Sequence, residues 1–240
     1  LGRTVNLSGV SPESGALVAG FLRALINLAE KERTQEEKDS NYLRRLTDLD
    51  LIFLALCAYE CRNNWIPKPS KKAIEQIREY VEALSSEDKP LVNFWRSEDS
   101  KRYPTRRLLA TLRIQRQDSA SANETIFYRI LQTAILLHRH GRGVKLNHLA
   151  EEYKVNEGIL EGGLKYTVLW ILSAIAQICD SNKCYKLDYL RMRILELIDE
   201  IALGATMGKL LPIDGVGKRT VLYLMEQGIT DFTQLNGMTK

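Results

Sequence analysis

The sequence predicts an all-α fold, and three observations support that prediction. Apolar residues recur at spacings of three and four through most of the chain, helix-starting signals precede several of these stretches, and no stretch alternates as a strand does. The apolar set of the first predicted helix is Leu17, Phe21, Leu22, Leu25, Ile26 and Leu28. We therefore expect a multi-helix bundle over 11–207, followed by a small helical domain over 208–240.

Each predicted helix of the first half has a recognisable start or a buried face. Ser11, Pro12 and Glu13 supply an N-cap, a proline at the first helical position and an early acid. The stretch 48–61 is nearly all apolar and is typical of a buried helix. Ser70 begins the next helix, and Pro104 begins a basic helix with Leu108, Leu109 and Leu112 on its inner side.

Four helices are predicted in the second half. The first runs from Asn123 to about 138, and a short one covers 146–153. A longer helix spans about 157–179, and the last spans about 185–203. Glycines at 204 and 208 and Pro212 then mark the boundary to the C-terminal domain.

Composition excludes several classes of protein. The 240 residues are 45% hydrophobic and 27% charged, which is ordinary for a soluble globular chain. No uninterrupted apolar run reaches the ~18 residues that span a bilayer, so we expect no membrane partner and an intracellular protein, cytoplasmic or nuclear according to its source. Four cysteines (Cys57, Cys61, Cys179, Cys184) and three histidines lack the spacing of zinc ligands, which predicts buried thiols and no metal.

A basic segment stands out from the mild net charge of +4. Between 96 and 116 there are seven basic residues against only Glu98 and Asp99. One interpretation is the positively charged wall of a nucleic-acid channel, and the alternative is a solvated helix face. The residues concerned are Arg102, Arg106, Arg107, Arg113 and Arg116.

The strongest local motif lies between two short predicted helices and comprises Gly215, Gly217, Lys218 and Arg219. Two glycines permit a tight turn, and the N–H groups at the start of the following helix can hold a DNA backbone phosphate beside the two cations. The alternative is a turn that only joins two helices. A nucleotide-binding Walker loop is excluded, because that loop needs four residues between its first glycine and its Gly-Lys pair, and a Ser or Thr after the lysine.

The helix over 157–179 provides a second candidate surface. Its apolar face is Leu164, Val168, Ile171, Leu172, Ile175 and Ile178. Lys165, Tyr166 and Trp170 can then face a single strand, because aromatic rings stack on bases and cations pair with phosphates. The alternative places Trp170 in the core. No catalytic motif is present, so we predict no catalytic residue in this chain.

These segments, in this order, resemble the C-terminal region of Ski-type superfamily-2 helicases, notably the archaeal repair helicases and the helicase half of DNA polymerase theta. The string from Ser8 to Glu13 resembles the junction between that family's winged helix and its helical bundle. The segment 149–153, followed by 158–160, resembles the approach to its ratchet helix, and the Gly215–Gly217 turn with Gly228 resembles its terminal helix-hairpin-helix domain. The archaeal members carry an arginine about two turns before the stacking aromatic, where this chain has Gly162 and Gly163.

The resemblance implies that residues 1–10 end an upstream winged helix and that Trp170 stacks on a base. It implies an intact ATP-dependent DNA helicase whose motor domains, with ATP and Mg²⁺, lie upstream of Leu1; this chain itself requires no cofactor. The expected partners are single-stranded or forked DNA, with RNA not excluded, and those motor domains. The alternative function is a helical scaffold that docks other domains without DNA contact, with the apolar stretch 49–57 at the interface.

Overall fold

The computed structural model describes residues 10–31, 46–67, 69–85, 88–90, 120–181 and 185–204, together with 220, 221, 223, 224, 227 and 229. These residues form seven α-helices and no β-strand, which confirms the predicted all-α class. The helices are α1 (Pro12–Lys31), α2 (Asp48–Leu56), α3 (Lys71–Ala83), α4 (Ala120–Gly141), α5 (Leu146–Tyr153), α6 (Tyr166–Ser181) and α7 (Tyr185–Leu203). A 3₁₀ helix, Tyr59–Asn64, follows α2, and a π-helical segment, Ile159–Lys165, leads into α6.

The predicted helix boundaries are largely confirmed within the described residues. Helices α5 and α7 cover the predicted stretches, and α4 extends three residues further at each end. The prediction of one helix over 48–61 is wrong at its end, because the α-helix stops at Leu56. There the indole Nε1 of Trp65 donates to the Leu56 carbonyl (2.9 Å), an acceptor that helix termini leave without an intrahelical partner.

Three helices begin on side-chain caps that the sequence contains. The Ser70 hydroxyl accepts from the Ala73 N–H (3.2 Å) at the start of α3, and the Ser11 hydroxyl accepts from the Ser14 N–H (3.3 Å) in α1. At α2 the cap is reciprocal: the Asp50 N–H donates to Thr47 Oγ1 (3.3 Å), and the Thr47 N–H donates to Asp50 Oδ2 (3.1 Å). Such caps contribute about 1 kcal/mol each to helix stability.

Helix α2 lies at the centre of the bundle. Every residue of α2 is buried, and the helix contacts α1, α4 and α6. The interpretation of the stretch 49–57 as an interface for another domain is therefore wrong, because its side chains are already covered by this chain's own helices. The most extensive helix–helix contact is the packing of α6 against α7.

A partly buried group of charges connects α2 to α7. The Arg193 guanidinium of α7 donates to both carboxylate oxygens of Asp48 (2.8 and 2.5 Å) and to Glu200 Oε2 (3.0 Å). Arg142, after α4, adds a second contact to Asp48 at 3.6 Å. Although burial alone would lower the pKa of Arg193, its bonds to Asp48 and Glu200 raise it, so its charge persists at every physiological pH.

Candidate nucleic-acid interface

The helical stretch from Ile159 through α6 exposes one side of itself to solvent. Trp170 is 38% exposed, Tyr166 is 60% exposed and Ile159 is 54% exposed. Gly162 is also exposed, and a Cβ added there would meet no atom within 4 Å. Tyr166 and Trp170 lie four residues apart in α6 and share a face, and Ile159 and Gly162 are exposed positions of the segment that leads into it; we call these four positions the outer stripe.

The outer stripe points outward because the opposite side of the helix is packed in the core. Five members of the predicted apolar face are buried, and the sixth, Ile178, is partly buried against the core; the five are Leu164, Val168, Ile171, Leu172 and Ile175. That side packs against α2 and α7. The alternative prediction, which places Trp170 in the core, is therefore wrong.

The π-helical segment before α6 contains two adjacent glycines, Gly162 and Gly163. The Gly163 carbonyl accepts from the Tyr166 N–H and from the Thr167 hydroxyl, the latter at 2.6 Å. A π-helical segment changes the angular position of every residue after it relative to an unbroken α-helix, and such segments are frequent at functional sites. The angle at which Tyr166 and Trp170 leave the bundle thus depends on this segment.

The side chain of Lys165 does not lie on the surface that was predicted to face a single strand. Its side chain is buried, with 6% of the residue exposed, and its Nζ forms an ion pair with the Glu161 carboxylate. The same Nζ lies 5.8 Å from the centre of the Tyr166 ring. The Lys165 ammonium therefore neutralises the Glu161 carboxylate and lies close to the Tyr166 ring.

The outer stripe is consequently aromatic and apolar rather than cationic. Lys165 is the only basic residue between 157 and 181, and its charge is matched by Glu161. Phosphates beside this helix would have to be neutralised by other parts of the chain. What the stripe itself offers a nucleic acid is ring surface for base stacking.

Sequence reasoning identified Tyr166 and Trp170 but missed Ile159 and Gly162. Neither residue carries an aromatic ring or a charge, which are the features that indicate a nucleic-acid contact in a sequence. The signal was present in the spacing, because 159, 162, 166 and 170 all fall on the side opposite the assigned apolar face.

Two predicted nucleic-acid sites lie outside the described residues. They are the glycine turn with its cations (Gly215, Gly217, Lys218, Arg219) and the basic segment (Arg102, Arg106, Arg107, Arg113, Arg116). The helix-hairpin-helix domain over 208–240 and the winged-helix tail over 1–10 are likewise almost wholly outside them. All of these stay predictions.

The cysteines of the described residues are buried free thiols. Cys57, Cys61 and Cys179 form no disulfide, and burial raises the pKa of Cys61 and of Cys179 to about 12. A thiol must lose its proton to bind a metal, and burial in an apolar core opposes that loss. In the described parts of the chain, no group of three histidine, cysteine or acidic side chains is placed to hold a metal ion.

One helical stretch in the described ranges, Ile159–Asp180, is long and apolar enough by length and composition to cross a membrane. Glu161 and Lys165 interrupt this stretch, so it is not an uninterrupted apolar run. Half of its most apolar window is buried inside the protein. Packing against α2 and α7 is a sufficient reason for this composition.

Comparison with known proteins assigns the chain to no family: no family model matches it, and no curated protein does.

Proposed function

We propose that this chain binds single-stranded nucleic acid, and that bases stack on Trp170 and Tyr166 of the outer stripe. The observation that carries the proposal is the exposure of two aromatic rings, one helical turn apart, on a helix whose other side lies in the core. Base stacking on an aromatic side chain contributes about 1–3 kcal/mol per base and tolerates every sequence.

The packing of α6 supports a stacking role in a second way. A stacking ring must hold its position while a base slides onto it, and α6 is fixed by its contacts with α2 and α7. The ion pair beneath Tyr166 also removes the repulsion that a lone Glu161 carboxylate would exert on phosphates.

The proposal extends to the role that the family resemblance implies. In that role the chain is the C-terminal module of an ATP-dependent superfamily-2 DNA helicase, and the outer stripe guides the translocated strand. Backbone phosphates would be held by Lys218 and Arg219 and by the basic segment 102–116, which contain the cations that α6 lacks. ATP and Mg²⁺ would belong to upstream motor domains.

Fluorescence anisotropy with a labelled oligothymidine, duplex and fork at several salt concentrations tests the proposal. Trp170→Ala should weaken single-strand binding by ~1–3 kcal/mol at every salt concentration, because a ring is lost and no charge is removed. Trp170→Phe should recover part of the loss. Tyr189→Ala, which removes a comparably exposed ring from α7, is the matched control.

The outcome that overturns the stacking role is a Trp170→Ala protein that stays folded and binds the oligothymidine within a few tenths of a kcal/mol of the original. A loss of equal size in Tyr189→Ala would overturn it too, because the effect would then not belong to the outer stripe.

A helical interaction scaffold is the second candidate function, and a different surface favours it. Helix α7 exposes Tyr189, Met192 and Leu195 on one side, which is the composition of a protein contact. Binding of upstream motor domains that is lost in Met192→Asp and kept in Trp170→Ala would support the scaffold. It would do so particularly if the chain had no affinity for nucleic acid.

A further inference from the structure

A cavity of about 520 Å³ lies between the start of α3, the middle of α4 and the end of α5, away from the outer stripe. The apolar and aromatic residues that line it include Ile66, Pro67, Ile77, Tyr80 and Ile135. The volume is within the range of ~300–1,000 Å³ in which proteins bind small organic molecules and cofactors.

The wall formed by Ile66 and Pro67 is held in place by bonds to α4. The Ile66 N–H donates to Thr133 Oγ1 (3.1 Å), and Arg129 Nε donates to the Ile66 carbonyl (3.2 Å). The Thr133 hydroxyl in turn donates to the Arg129 carbonyl (2.6 Å). The cavity is therefore built by fixed backbone on one side and by helices on the others.

Gln132 is the polar group in this apolar wall. The residue is only 5% exposed, and its Oε1 has no hydrogen-bond partner among the residues that the structure describes. Leaving a buried polar atom unpaired costs about 1–3 kcal/mol, and unpaired groups of this kind are rare in native proteins. Because Gln132 lines the cavity, its amide can turn toward a molecule bound there, which would supply the missing partner.

The mouth of the cavity is cationic. It includes Lys72 and Lys154, and the Arg139 guanidinium is matched by Glu152 through two hydrogen bonds (2.6 and 2.9 Å). The N-terminus of α3 also opens here, since Ser70, Lys72 and Ala73 line the cavity. The first turn of α3 contains no acidic residue, and the Ser70 hydroxyl accepts from the Ala73 N–H, while the N–H groups that begin a helix have no acceptor within the helix itself. Such a helix start attracts phosphate.

We propose that this cavity binds a nucleotide, with its phosphate at the α3 N-terminus and Lys72, and its base in the apolar part beside Gln132. An apolar wall beside the buried amide of Gln132 suits a planar base, because the base edge carries both donors and acceptors and the amide offers both as well. The nucleotide is either free in solution or the 5′-phosphorylated end of a strand. The proposal stands on residues that the stacking surface does not use, so the two can fail separately.

Isothermal titration calorimetry with AMP and CMP tests this site, with inorganic phosphate, adenosine and a 5′-phosphorylated trinucleotide as comparison ligands. Lys72→Gln should weaken AMP binding about tenfold or more, because a charge-assisted hydrogen bond is lost. Lys71→Gln removes the neighbouring exposed lysine, which does not line the cavity, and should leave the affinity unchanged. This pair separates a specific phosphate contact from general attraction.

Gln132→Leu tests the base contact. It should weaken both AMP and adenosine by about tenfold and leave phosphate untouched, while thermal stability is kept or raised because an unpaired buried amide is removed. The Trp170→Ala protein should bind AMP normally.

Tighter binding of the trinucleotide than of AMP, sensitive to Lys72→Gln, would identify the ligand as a strand end. Tighter binding of AMP would identify a free nucleotide. No saturable binding of either nucleotide at millimolar concentration would overturn the proposal. It would also be overturned by phosphate binding as tightly as AMP, or by affinities that Lys72→Gln and Gln132→Leu do not change.

Discussion

Helices α2 and α6 are the two most apolar helices of the described chain, yet only one of them is closed to solvent. Every residue of α2 is buried, including the acids of its first turn, Asp48 and Asp50. Helix α6 is buried on one side only and exposes Tyr166 and Trp170 on the other. Apolar composition thus indicates the core in both helices, whereas a large ring left in water on a core helix indicates a contact surface.

The comparison predicts that substitutions in α2 change the free energy of unfolding and that substitutions in the outer stripe change binding. The largest effect is expected for Phe53→Ala. Phe53 is fully buried, and its ring centre lies 5.7 Å from that of Phe127. Removing it leaves a cavity and should lower the free energy of unfolding by ~3–5 kcal/mol in urea denaturation.

Tyr59→Ala is the control for Phe53→Ala, because Tyr59 lies six residues further on and is 65% exposed. Its loss should cost less than about 1 kcal/mol, most of it the contact with the Arg62 guanidinium, 5.1 Å from the ring centre. Equal losses in the two variants would contradict the assignment of this segment's buried and exposed sides.

A second, somewhat smaller effect concerns the pH dependence of the core around α2. His138 of α4 is buried, its Nδ1 lies 2.9 Å from the Tyr80 hydroxyl, and burial, followed by the positive charge of Arg142, lowers its pKa to about 4. The carboxylates of Asp48 and Asp88 act in the opposite direction but do not prevail. Because an unfolded histidine titrates near 6.5, the unfolded chain takes up the proton first as the pH falls.

The contribution of neutral His138 to the free energy of unfolding is therefore fully present above pH ~6.5. This contribution falls by on the order of 3 kcal/mol in total as the pH drops toward 4. His138→Gln cannot titrate and should flatten the fall of the unfolding free energy between pH 6.5 and 4. His148→Gln changes an exposed histidine and should leave the curve as it was. Identical curves for the original and the His138→Gln protein would refute this account.

Local sequence signals predict the helices, whereas the candidate sites depend on packing between residues that are distant in sequence. Ser70 and the Ser11-Pro12 pair mark their helix starts within a few residues, so the sequence contains that information directly. The pairing of Arg193 with Asp48 joins positions 145 residues apart, and no local pattern indicates it. The unpaired amide of Gln132 is equally hidden, because in sequence it is one polar residue in an apolar helix.

Lys165 shows why charge alone misleads. In sequence it is the cation nearest to Trp170, which favoured a phosphate contact. Four residues earlier stands Glu161, and this spacing places the two on the same face of a helix, where they pair.

The double variant Glu161→Gln with Lys165→Met tests whether the ion pair of these two residues takes part in binding. It removes one charge of each sign, so the net charge stays the same. The pair is only partly buried, because the Glu161 side chain is 46% exposed, so we expect the free energy of unfolding to change by less than about 1 kcal/mol. The salt dependence of oligothymidine binding should not change, and a shallower slope would mean that Lys165 contacts a phosphate after all.

The smallest expected effect is a gain in affinity for single-stranded nucleic acid. Gly162 lies on the outer stripe two turns before Trp170, and a side chain there meets open space, so Gly162→Lys would place the missing cation on the strand-facing side without disturbing the core. One added phosphate contact steepens the salt dependence of single-strand binding by about 0.7 in the logarithmic slope, or roughly two- to threefold in affinity between 200 and 50 mM salt. Gly162→Gln adds a chain of similar length without charge and should leave the slope unchanged. If the lysine variant also leaves it unchanged in anisotropy titrations, phosphates do not pass within reach of position 162, and the strand does not follow the outer stripe toward the π-helical segment.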